Sequence, residues 1–102
     1  MAAKLSKHAR VDRFDRISAI VDLFKGDLGE TVISVWDEKH NAFQELTSNG
    51  VLIAKGKNGT VITMFLCNPG KATVLQSLSG KYLTKNQWRR IEQNQKFQTL
   101  CI

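Results

Sequence analysis

The chain has 102 residues, 42% of them hydrophobic and 24% charged, and a formal net charge of +6. That length supports one domain with one modest core. No apolar run is long enough to span a membrane, no charged stretch leads into an apolar export segment, and the composition predicts an ordinary globular cytoplasmic protein.

Residues 5–24 are predicted to form an amphipathic helix. Ser6 is a suitable N-cap, and Phe14, Ile17, Ile20, Val21 and Phe24 recur at three and four residues as one apolar stripe. Arg10, Arg13 and Arg16 are spaced by three, so they run along one side of that helix. The segment Gly26-Asp27-Leu28-Gly29 stops it. Thr31 to Asp37 is β-branched and aromatic and predicts a strand. A turn at Glu38 to Asn41, a more polar strand from Ala42 to Leu46 and a second turn at Thr47 to Gly50 follow.

Val51 to Lys55 and Thr60 to Cys67 are the clearest strands, joined through Asn58-Gly59, a strong hairpin signal. Both are apolar on both faces, which predicts central or doubly covered positions. Asn68-Pro69 opens a helix to Leu78 with Gly80 as its stop; a short strand over residues 72–78 is the alternative. Thr84-Lys85-Asn86-Gln87 is a capping box, with Leu83 and Trp88 at the staple positions around it. The helix it starts is expected to run to about Lys96, bury Trp88 and Ile91, and turn Lys85, Arg89 and Arg90 outward. The predicted fold is therefore α+β: an N-terminal helix, a three- to four-stranded antiparallel sheet and two C-terminal helices.

Charge is unevenly placed. Residues 1–24 hold five lysines and arginines against three aspartates, residues 25–79 are balanced, and residues 80–102 hold five against Glu92 alone. Two basic ends with a neutral middle suit a polyanion, nucleic acid being the commonest; a charge kept for solubility is the plain alternative.

Several chemistries find no support. Two histidines 32 residues apart, with no H-E-x-x-H, leave nothing to place a metal ion. The two cysteines, Cys67 and Cys101, form no disulfide framework, and Cys67 reads as a small core residue. Gly56 to Gly59 matches no phosphate loop, and no carboxylate pair suits glycoside chemistry. Phosphodiester chemistry by side chains alone remains, with no cofactor. His8 is the acid/base candidate: an imidazole titrates near neutrality, neighbouring arginines keep it neutral, and it stands at a helix start suited to phosphate. Pairing of Arg10 and Arg13 with Asp12, Asp15 or a strand carboxylate is the structural alternative. His40, in a turn, is the weaker histidine. Lys55 and Thr63 are the polar members of the central hairpin. A two- or four-residue loop places them on opposite faces, and a three-residue loop with a bulge on the same face.

The run Ser6-Lys7-His8-Ala9-Arg10-x-x-Arg13-x-x-Arg16-Ile17 resembles the first helix of small toxin domains in the barnase–EndoU–colicin–RelE group. So does Leu46-Thr47-x-x-Gly50-Val51-Leu52-Ile53-Ala54-Lys55-x-x-x-Gly59-x-Val61-Ile62-Thr63-Met64. The resemblance covers residues 5–66. It implies an N-terminal helical part before an antiparallel sheet, and a metal-independent endoribonuclease. His8 would be the acid/base, Arg10, Arg13 and Lys55 would bind the phosphate and its transition-state charge, and Thr63 would orient the phosphate or the attacking hydroxyl. Outside what the resemblance implies, the basic charge makes Arg16, Lys85, Arg89 and Arg90 the residues that would hold the nucleic-acid backbone. Expected partners are RNA (or DNA) and an acidic antitoxin or immunity protein, with no membrane. A non-catalytic nucleic-acid-binding or regulatory module of phage or mobile-element origin is the second expectation, and a structural protein the third.

Overall fold

A computed structural model describes the backbone of residues 14–100 and the side chains of residues 16–96. It contains helix α1 (Phe14–Leu23), strands β1 (Thr31–Asp37), β2 (Ala42–Thr47), β3 (Val51–Lys55) and β4 (Val61–Leu66), and helices α2 (Pro69–Ser79) and α3 (Lys85–Leu100). The strands form one antiparallel sheet in the order β1-β2-β3-β4. The architecture is α+β, with the helix, four strands and two C-terminal helices expected from the sequence.

Local chemistry sets the element ends. The Gly26 N–H donates to the Val21 carbonyl at 2.9 Å and closes the end of α1. Asn68 caps α2 by accepting from the Lys71 N–H at 2.8 Å, and Gly80 ends it in the left-handed region, donating to the Gln76 carbonyl at 2.8 Å. The segment 72–78 is thus helical, and the strand alternative is not formed. The capping box at α3 is reciprocal: the Gln87 N–H donates to Thr84 Oγ1 at 3.2 Å, and the Thr84 N–H to Gln87 Oε1 at 2.9 Å. Leu83 and Trp88 both pack on the core, as the staple requires.

The sheet has a helix on one face and two on the other. α1 packs across β4, and Ile17, Ile20 and Leu28 meet Val51, Ile53, Val61, Met64 and Leu66. On the opposite face α2 lies over β1 and α3 over β4, burying Ile33, Leu46, Leu52, Cys67, Ala72, Leu75 and Ile91. This explains two apolar-faced strands side by side: β3 is central, and β4, although an edge strand, is covered from both sides. Helices α1 and α3, far apart in sequence, both come to β4. At the turn between β2 and β3, the buried Asn94 of α3 donates its Nδ2 to the Asn49 carbonyl at 2.7 Å and ties the helix to the sheet.

The β3–β4 hairpin settles the register. The Gly56 N–H donates to the Thr60 carbonyl at 2.9 Å, so the loop is the three residues Lys57-Asn58-Gly59, with Gly59 at φ +81. Lys55 then pairs with Val61, but Ala54 pairs with Thr63, so Ile62 is an extra residue bulged from the ladder.

Candidate nucleic-acid interface

The bulge at Ile62 decides where the expected site residues lie. A three-residue loop by itself would leave Lys55 and Thr63 on one face. The extra residue moves Thr63 into line with Ala54, on the face opposite Lys55. Lys55 lies on the α1 side of the sheet and forms an ion pair with Glu45 of β2 at 3.2 Å. Thr63 accepts a hydrogen bond from Arg16 Nη2 of α1 at 2.6 Å. Since Thr63 alternates away from Met64 and the α1 core, the guanidinium reaches it past the free edge of β4. Arg16 and Thr63 are therefore brought together, while Lys55 and Thr63 are separated by the sheet. Their expected cooperation at one phosphate does not fit this register. His8, Arg10 and Arg13 lie outside the described residues.

His40 stands in the β1–β2 turn, exposed, with its Nδ1 2.6 Å from Asp37 Oδ2. That hydrogen bond, together with the charge of the imidazole and the Lys39 N–H, holds the Asp37 carboxyl below its usual value. Among the described residues, no group of His, Cys, Asp and Glu is arranged to hold a metal ion, and no helix is long and apolar enough to cross a membrane.

The remaining expected residues lie on α3. Its inner side carries Trp88, Ile91 and Asn94 into the core. On the outer side Lys85, Arg89, Gln93 and Lys96 recur at four, four and three residues and form one line, with Asn86 and Arg90 in a second line beside it. All six are exposed. Asn86, Arg89, Arg90 and Gln93 line a shallow depression of about 260 Å³ between the two lines. Among the described residues the four cations make no ion pair; Glu92 is the one acid on the helix and sits at the rim of this face. Guanidinium forks flanked by amide donors are suited to phosphate oxygens, and the amides can reach sugar hydroxyls as well.

Three residues on the α1 side of the sheet were not among those marked out from the sequence. Trp36 and Phe43 face each other across β1 and β2, and Lys57 lies over the Trp36 ring. A signal existed: the two aromatics are placed symmetrically about the Glu38–Asn41 turn, so any four-residue connection pairs them. Glu45, the partner of Lys55, carried no comparable sign.

No family model, curated protein or solved structure matches this chain.

Proposed function

We propose that this protein binds nucleic acid through the outer face of α3, without metal or cofactor. The supporting observation is the exposed array of Lys85, Arg89, Arg90 and Lys96, without an ion pair among the described residues, around the Asn86–Gln93 depression, on a helix pinned by Asn94 and the Thr84–Gln87 cap. A rigid helix that presents four cations meets the spacing of phosphates without reading base edges, so the reading is backbone recognition. RNA is the favoured ligand, by the toxin-domain resemblance. Arg16, exposed and anchored at Thr63 on the same strand that α3 covers, adds a fifth cation from the other end of the chain.

The binding reading is preferred to the cleaving one on the placement of Lys55. A lysine held by Glu45 on one face of the sheet does not share a phosphate with Thr63 on the other. The test is RNA binding across a salt series in the presence of a chelator, with Arg89→Gln/Arg90→Gln as the variant. Binding that weakens steeply with salt is expected, and the double variant should lower the slope of log K against log salt by about 1.5 to 2. Absence of binding at low salt, or a slope the variant leaves unchanged, would overturn the reading. Cleavage of the RNA by the wild type, lost in His8→Ala and in Arg13→Ala, would replace it with the ribonuclease.

A further inference from the structure

Among the described residues, only half of the sheet face that carries α1 is covered. α1 lies across β4, and among the described elements none packs over β1 and β2 on this side. In that open half the register sets three side chains in one row across three strands: Trp36 opposite Phe43, and Phe43 opposite Lys55. Neighbouring strands are about 4.8 Å apart, so the row is continuous. The two rings meet edge to face, centroids 4.9 Å apart and planes at 69°. Phe43 is 37% exposed, which is high for a phenylalanine on a sheet. Lys57, from the hairpin loop, stands 5.4 Å from the Trp36 ring centroid and is exposed.

We infer that Trp36 and Phe43, with Lys57 beside them, form a stacking platform for the bases of single-stranded nucleic acid. The inference rests on the α3 reading and adds a second contact that selects the kind of strand. The exposed ring of Phe43, backed by the half-buried Trp36, accepts the face of an unpaired base, and the Lys57 ammonium over Trp36 donates to the adjoining phosphate. Lys55 is held by Glu45, and Asp37 is held by His40, so among the described residues it is Lys57 that offers a positive charge over these rings. An apolar protein surface is a poorer fit, because closing over the rings would strip water from Lys57 and from the Lys55–Glu45 pair. A duplex is also a poorer fit, because its base faces are already stacked.

The test compares a short single-stranded RNA with a duplex of the same length, by fluorescence anisotropy at low salt. The variants are Phe43→Ala, Phe43→Tyr and Arg89→Gln/Arg90→Gln. Phe43→Ala should weaken binding of the single strand about ten-fold and leave the duplex unaffected, and Phe43→Tyr, which keeps a ring, should restore it. In a Trp88→Phe background, where Trp36 is the sole tryptophan, the single strand should quench the emission and the duplex should not. Phe43 is at the surface, so its removal should leave the circular dichroism unchanged. Unaltered single-strand affinity in Phe43→Ala, or unquenched Trp36 emission on binding, overturns the platform. If Arg89→Gln/Arg90→Gln weakens binding while Phe43→Ala does not, the platform fails and the α3 reading stands. If only Phe43→Ala weakens it, the α3 reading fails and the platform stands.

Discussion

The guanidinium of Arg16 donates to the hydroxyl of Thr63 at 2.6 Å, across 47 residues of sequence, and joins α1 to the free edge of β4. It is the described side-chain bond that fixes the first helix to the sheet beyond apolar contact. A double-mutant cycle of Arg16→Ala and Thr63→Val should return a coupling of about 1 kcal/mol, because a charged donor on an exposed acceptor falls near the middle of the usual range. Additive effects in urea unfolding would show that the contact contributes nothing.

Two glycines with nearly the same backbone angle should respond differently to alanine. Gly50 and Gly59 have φ of +82 and +81. A Cβ on Gly59 meets nothing within 4 Å, whereas one on Gly50 would lie 2.5 Å from Asn94 Nδ2. Gly59→Ala should cost about 1 kcal/mol, the left-handed penalty alone. Gly50→Ala should cost roughly 2 to 4 kcal/mol, since it also breaks the Asn94–Asn49 bond. Equal melting temperatures for the two variants would contradict this account of the α3 anchor.

Burial pushes the Cys67 thiol from 9.0 up to about 11, against a smaller opposing effect of the Lys71 charge. The folded state therefore holds this proton more tightly than the unfolded one. The stability linked to the neutral thiol is complete below pH 9 and falls as pH rises toward 11. In a Cys101→Ser background, reaction with a disulfide reagent at mildly alkaline pH should be at least ~100-fold slower folded than in denaturant. Comparable rates would mean that Cys67 is not shielded.

Lys85 and Lys96 lie at either end of the outer line of α3. Replacing either with glutamine should lower the salt slope of RNA binding by about 0.7 to 1 and weaken all sequences alike. Such a change confined to one RNA sequence would point to base readout instead.

The elements most legible in the sequence are those closed by bonds within a few residues. Thr84 with Gln87, Asn68 with Lys71 and Gly80 with Gln76 carry their signals in adjacent positions, and each cap forms as expected. What sequence left open depends on partners far along the chain. Nothing local marks Ile62 as the residue to be extruded, because the choice is made by Met64 and Leu66, which must face Ile17 and Ile20. Asn94 reads as an ordinary helix polar residue until the Asn49 carbonyl is placed 2.7 Å away. The candidate grip on α3 was legible for the same local reason as its cap, whereas the relation of Lys55 to Thr63 waited on the register.

The bulge makes Ile62 the one residue of the β3–β4 hairpin that the pairing does not use. Deleting it would join Val61 directly to Thr63, and every pair from Val51–Leu66 to Lys55–Val61 would survive. The hairpin can thus shorten by one residue at Ile62, and relatives that differ in length there would keep the same inside and outside.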